Sequence, residues 1–210
     1  MKILIIGDSF AADFSVKYND YPGWTKLLSQ DHNVTNLAQA GITEYKIWLQ
    51  LESIDNLSEY DLVIVSHTSP YRVHTIKHPV HYNDPLHKHA DLMLKDCEYH
   101  LSRIKFWFNK ALLSAVGFYK YHFDKTYFET IYTMFRERIN NKLSGHDVIV
   151  INNLPGNLEF AFETIVLDFS KLWEHEPGLI NHYSKLGNQK IYHSIKNTIK
   201  DITLRNKINE

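Results

Sequence analysis

Three short runs, Lys2-Ile3-Leu4-Ile5-Ile6, Asp61-Leu62-Val63-Ile64-Val65 and Asp147-Val148-Ile149-Val150-Ile151-Asn152, are almost unbroken apolar sequence. A strand with one face in water alternates apolar with polar residues, so runs like these demand cover on both faces. They suit the inner strands of a parallel sheet flanked by helices. Val34–Ala38 reads as a further strand and Glu163–Asp168 (ETIVLD) as a fifth. Between the first three runs the pattern turns helical, over Trp24–Gln30 and over Glu44–Ile54, where Tyr45, Trp48, Leu49 and Leu51 recur at helical spacing. This β-α-β-α-β order with right-handed crossovers predicts an open, parallel α/β sheet, whose ligands usually lie beyond the carboxyl ends of the strands.

The alternation breaks after Val65, and the stretch before Asp147 is too long for one crossover. It holds a His-, Pro- and Tyr-bearing loop, Tyr71–His89, and two predicted helices. In the first, Met93, Cys97, Leu101, Ile104, Phe108 and Leu112 fall three or four residues apart; in the second, Phe128, Ile131, Tyr132, Phe135 and Ile139 do the same. The reading is a helical insertion at about 71–145 within one domain spanning 1–210. A last helix over Ser184–Leu204 carries Ile191, Ile195, Ile199 and Ile202 on one side and leaves its basic residues as a solvated face.

With 210 residues, 44% of them hydrophobic, the chain can bury a sizeable core in one unit. Its 23 basic and 24 acidic side chains nearly cancel, so no global field selects nucleic acid or an anionic membrane, and neither is expected as a partner. Cys97 is the only cysteine, which rules out an internal disulfide and suits a small buried apolar residue. The apolar start is too short for a signal peptide, and no run reaches the roughly 20 residues that span a bilayer. A cytoplasmic protein is the expectation.

The first strand ends in Gly7-Asp8-Ser9. Asp8 or Ser9 could simply cap the following segment, since both types satisfy free N–H groups. A serine standing clear of a strand end could also serve as a nucleophile once a base takes its proton. Neither G-x-G-x-x-G nor G-x-x-x-x-G-K-[ST] follows, which argues against a phosphate loop. Compatible groups recur in Asn36-Leu37-Ala38-Gln39-Ala40-Gly41-Ile42-Thr43, in Ser66-His67-Thr68-Ser69-Pro70, and in Asn181–Asn188 ahead of the last helix.

Taken in order, "GDSF", "NLAQAGIT" and "NHYSKLGNQ" resemble the motifs of the SGNH/GDSL hydrolase family. The resemblance implies a three-layer α/β/α sandwich with a mostly parallel, flavodoxin-like sheet. It implies Ser9 as acyl-accepting nucleophile, His182 as general base, and the Ser9 and Gly41 amides as oxyanion donors. The third block departs from the family pattern, with Thr68 where an asparagine is usual, so the resemblance makes the Thr68 hydroxyl a further oxyanion donor, direct or through water, unless it merely caps the strand end. Leu179 stands where an aspartate is usual, leaving Glu176 as the nearest acid, with Glu174 and Asp168 as alternatives, or a Ser–His dyad oriented by a backbone carbonyl. The family needs no metal or organic cofactor. The implied activity is hydrolysis of an O-acyl ester of a carbohydrate or other small molecule. Acyl transfer to a glycan by the same serine, and a non-catalytic glycan-binding protein that keeps the fold, are the alternatives.

His74, His78, His81, His87 and His89 crowd one loop, with Asp84 and Asp91 nearby, and imidazole plus carboxylate is a usable zinc set. Their spacing matches neither H-E-x-x-H nor a finger, so solvated or carbohydrate-binding histidines are expected and no metal. Tyr71, Arg72, Tyr82 and Tyr99 could line a sugar-binding wall or simply pack the insertion.

Overall fold

The computed structural model describes residues 1–13, 21–103, 109–154, 165–172 and 182–209. Five strands form one sheet: β1 (Lys2–Gly7), β2 (Asn33–Asn36), β3 (Leu62–Ser66), β4 (Val148–Asn152) and β5 (Ile165–Asp168). Their order is β2-β1-β3-β4-β5 and every pairing is parallel, with Gly7 opposite Ser66 and Asn152 opposite Asp168 at the carboxyl rim. The expected class, a parallel flavodoxin-like sheet between helical layers, is the one observed.

Period-two geometry sorts the apolar runs onto two faces. Ile3, Ile5, Leu62, Ile64, Ile149 and Ile151 pack beneath helices α1 (Trp24–Asp31) and α6 (Lys185–Asn209), which bring Trp24, Leu28 and the Ile191–Ile202 stripe. Leu4, Ile6, Val63, Val65, Val148 and Val150 face α2 (Glu44–Glu52) and α5 (Lys125–Lys142) through Ile47, Leu51 and Ile139. Both faces of the inner strands are thus covered, which is why those runs carry polar residues only at their ends.

Between β3 and β4, α5 lies on the sheet, while α3 (Leu94–Arg103) and α4 (Lys110–Tyr121) pack on each other around Cys97, Leu112 and Ala115. The single helix expected from Met93 to Leu112 is not continuous. Asn109 has non-helical backbone angles (φ −123°, ψ 81°), and its side chain accepts the Leu112 N–H at 2.9 Å, so it caps a new helix. Ile104 and Phe108 lie outside the described residues. At β2 the strand stops at Asn36 and not Ala38, although the Leu37 and Gln39 amides still donate to Ile5 and Gly7 of β1. Among the described residues no helix is long and apolar enough to cross a membrane.

Candidate active site

The site begins with a glycine that cannot be replaced. Gly7 has φ +154°, and a Cβ there would stand 2.6 Å from both Cβ and O of Ser66 on the neighbouring strand. From α2, Gln50 pairs both of its backbone groups, accepting the Gly7 N–H at 2.8 Å and donating to its carbonyl at 3.2 Å. The chain then turns sharply. The cap falls to Asp8, whose Oδ1 accepts the Phe10 N–H at 3.0 Å, while the Asp8 carbonyl accepts from Ala11 and Ala12. Ser9 sits on this tight turn, 8% exposed.

Asp8 collects further donors: the Ser66 hydroxyl at 3.3 Å and the Thr68 side chain. Burial raises its pKa to about 7, against the opposing pull of the Arg72 charge and these hydrogen bonds. A chain of donors also reaches it from the far end of the sequence. Tyr183 Oη–H donates to Asn153 Oδ1 (2.8 Å), Asn153 Nδ2 donates to Ser66 Oγ (2.8 Å), and Ser66 donates to Asp8. All four side chains are buried. Asn153 belongs to no motif in the sequence; its position just past β4, beside β3, gives it this bridging role.

The same connection brings in His182. Its ring lies 5.3 Å, centroid to centroid, from that of Phe10, the residue after Ser9, and Tyr183 lies 5.4 Å from Phe10 on the same ring. Three bonds fasten this segment: Tyr21 Oη donates to the Tyr183 carbonyl (2.9 Å), Asn188 Nδ2 donates to the same carbonyl (3.0 Å), and Asn188 Oδ1 accepts the Trp24 amide at the start of α1. Ser184 Oγ accepts the Gly187 N–H and opens α6. First turn and last loop therefore meet at one rim of the sheet.

Gly41 occupies a left-handed conformation, φ +74°, and a Cβ there would meet Ala90 Cβ at 3.0 Å. The close approach that demands glycine is thus to the chain's own Ala90. Thr68 is wholly buried, its hydroxyl accepting from Arg72 Nε at 3.3 Å and close enough to Asp8 to oppose the rise of its pKa. The hydroxyl thus lies between the Arg72 guanidinium and the Asp8 carboxyl.

Beneath Thr68 lies a pair that the motifs did not announce. His67 Nδ1 and Glu44 Oε1 are 2.6 Å apart, both buried, and Glu44 Oε2 accepts the Thr68 amide at 3.4 Å. Burial lowers the His67 pKa although Glu44 pulls the other way. The one sequence hint is positional: an acid in the first turn of a helix that faces the β3 end.

Of the acids considered for orienting His182, Asp168 is exposed and accepts the Ser170 N–H at 2.8 Å, closing the turn after β5. Glu174, Glu176 and Leu179 lie outside the described residues. An open groove of about 510 Å³ runs from Ala12 and Asp13, just past the Ser9 turn, along Asn36, Ala40 and Leu86.

The loop histidines do not form one group. His74 sits 3.3 Å from Asp91, whose carboxylate also takes Lys46 Nζ (2.7 Å) and the Thr43 and Thr75 amides, tying the loop to α2. His89 is exposed, and His87 pairs with Asp84 at 3.3 Å. His78, His81 and Asp96 place ligand atoms within 4.8 Å of one another. They do not fit a metal as arranged. His78 Nδ1 accepts the Val80 and His81 amides, both at 3.2 Å, so Nε2 carries the proton; a metal on Nε2 would force Nδ1–H against two amide hydrogens. Instead, His81 Nε2 bonds Asp96 at 3.0 Å, and the Nε2 atoms of His78 and His100 approach it at 3.4 and 3.5 Å. Tyr71, Tyr82 and Tyr99, exposed as a sugar-facing wall would be, take separate partners: Glu129, Lys77 and Arg103.

Neither a family model nor a curated protein matches the chain. Among solved structures, one described as a lipase/acylhydrolase from Enterococcus faecalis is similar with a TM-score of 0.42 and 13% identity over 95% of each chain. Another, described as an acetyl xylan esterase, AlAXEase, is similar with a TM-score of 0.47 and 13% identity, over 95% of this chain and 100% of that one.

Proposed function

We propose that the protein is a serine esterase or acylhydrolase acting on an O-acyl ester of a carbohydrate or small molecule. Ser9 Oγ attacks the ester carbonyl while His182 takes its proton and later returns it to the leaving alcohol. The Ser9 and Gly41 amides donate to the oxyanion as it forms, and Glu176 is the acid assigned to orient the imidazole. Water, deprotonated through His182, then releases the acid. The groove beyond Ala12 receives the alcohol portion. The observation that supports this reading is the packing of the His182 ring on Phe10, next in sequence to Ser9, at a rim where strand ends hold the serine turn rigid.

A serine-directed fluorophosphonate tests it. Wild type should label and hydrolyse p-nitrophenyl acetate, whereas Ser9→Ala should lose labelling and at least about a thousandfold in kcat with an unchanged melting temperature. A folded wild type that neither labels nor hydrolyses would remove the reading in favour of a binding protein, for which the commitment of the Thr68 hydroxyl to Asp8 speaks. An acyl product formed only with a sugar acceptor present would make it a transferase.

A further inference from the structure

The loop after β3 delivers one cation into the rim. Arg72 donates from Nε to Thr68 Oγ1 (3.3 Å) and from a terminal nitrogen to the Gly41 carbonyl (3.2 Å), so a single guanidinium touches both positions that family resemblance ties to the oxyanion. Its backbone is fastened on both sides. Tyr119 Oη donates to the Leu92 carbonyl at 2.6 Å with the Tyr71 carbonyl also within 3.2 Å, and Val73 forms a two-bond antiparallel bridge with Leu92 (3.0 and 2.9 Å). The Asp91 amide adds a second bond to the Gly41 carbonyl at 2.9 Å. A planar fork held this firmly fixes the directions of two acceptors at once, which an ammonium with freely rotating donors does not.

We propose that Arg72 is a positioning residue of the active site: it locks the Gly41 turn, sets the direction of the Thr68 hydroxyl, and holds Asp8 in the acceptor form that supports the Ser9 turn. This rests on the hydrolase reading for its catalytic consequence, though not for its physical content. The logic is one of hydrogen count. A hydroxyl has one proton, so while Thr68 Oγ accepts from Arg72 its proton goes to Asp8. Asp8 then accepts from Thr68, Ser66 and Phe10 together, an arrangement suited to an ionised carboxylate. Phe10 and Ser66 both donate to Oδ1, so a proton taken up at Oδ2 leaves those two bonds formed but strips them of charge assistance, including the Phe10 bond that shapes the serine turn.

The charged and titratable groups bearing on Asp8 come from every layer around it: Glu44 on α2, Arg72 from the loop after β3, Tyr132 on α5 and Tyr183 ahead of α6. Among these, Arg72 supplies the positive charge that favours ionised Asp8.

The test reads Asp8 directly. In ¹³C NMR of the full chain, Arg72→Met should move the Asp8 carboxyl titration upward by about one to three pH units, the usual effect of losing a close opposite charge. The acid limb of the kcat/KM profile for p-nitrophenyl acetate should move with it, KM changing little. Arg72→Lys should keep the Asp8 midpoint near that of wild type while kcat falls, because charge returns without the fork. If Arg72→Met does not fold, Arg72→Gln, which keeps a donor for Thr68, replaces it. An Asp8 titration identical in wild type and the neutral variant overturns the proposal, as does an equal loss of activity at every pH. If wild type has no esterase activity the hydrolase reading fails separately, and the NMR shift still decides whether Arg72 holds Asp8.

Discussion

Two polar clusters, both rich in groups that could do chemistry, are built in opposite ways. At the sheet rim, Asp8, Ser66, Thr68, Asn153 and Tyr183 are buried, and each hangs from the end of a strand or beside one. In the insertion, His78, His81, His100 and Asp96 gather where a loop meets α3, and only His78 is deeply buried. The rim's hydrogen bonds form a directed chain from Tyr183 through Asn153 and Ser66 to the Asp8 carboxylate. The insertion's carboxylate is ringed by imidazoles at 3.0 to 3.5 Å, a looser clamp between two elements. Buried, fully assigned polar groups are costly to disturb, whereas half-exposed ion pairs are not. The rim is therefore the costlier of the two to disturb, and the histidine cluster is a fastening.

Gly7→Ala would break that contrast most forcefully. A methyl 2.6 Å from Ser66 Cβ and O must push β1 from β3, and φ +154° disfavours any L side chain. Strain and overpacking together should cost about 3–5 kcal/mol, seen as a large fall in the denaturation midpoint. A melting temperature within a few degrees of wild type would show that the rim is more compliant than its geometry implies.

Asn153→Ala comes next. It leaves the Tyr183 hydroxyl without its acceptor and removes a donor from Ser66, both in a site closed to water. The expected loss is roughly 1–3 kcal/mol, with a larger proportional loss of esterase activity, since Tyr183 adjoins His182. Tyr183→Phe should reproduce part of it. Activity unchanged in both would mean that His182 does not depend on this chain of bonds.

These residues also mark where sequence stops being readable. Inner strands announce themselves, because burial on both faces leaves an unbroken apolar run such as Ile3–Ile6. The break at Asn109 does not, since the three-and-four spacing from Leu101 to Leu112 continues across it and the cap shows only as one asparagine. Ser9 and His182 stand in recognisable motifs at the chain's two ends. Asn153, Arg72 and the Glu44–His67 pair do not, for their partners are set by which strand lies beside which. Arg72 meets Gly41 across 31 residues and Asn153 meets Ser66 across 87, contacts that no local pattern encodes.

Asp96→Asn should have the smallest effect, and its pH dependence sharpens the comparison. Burial alone would raise the Asp96 pKa, but the proximity of His78, the bond from His81, and the charges of His81 and His100 outweigh it and hold the carboxyl well below its usual range. A depressed pKa means that the folded state binds its proton less readily than the unfolded chain. The stabilisation is then present above the unfolded value near 4 and is lost as pH falls below it toward the lower folded value. With its side chain about a third exposed, Asp96 is screened by solvent, so the contribution at neutral pH should be under about 1 kcal/mol. Denaturant titrations of wild type and Asp96→Asn should differ slightly between pH 5 and 8 and converge in strong acid, with hydrolysis of p-nitrophenyl acetate equal in the two. A loss of activity in Asp96→Asn would tie the insertion's fastening to the rim and erase the distinction between the clusters.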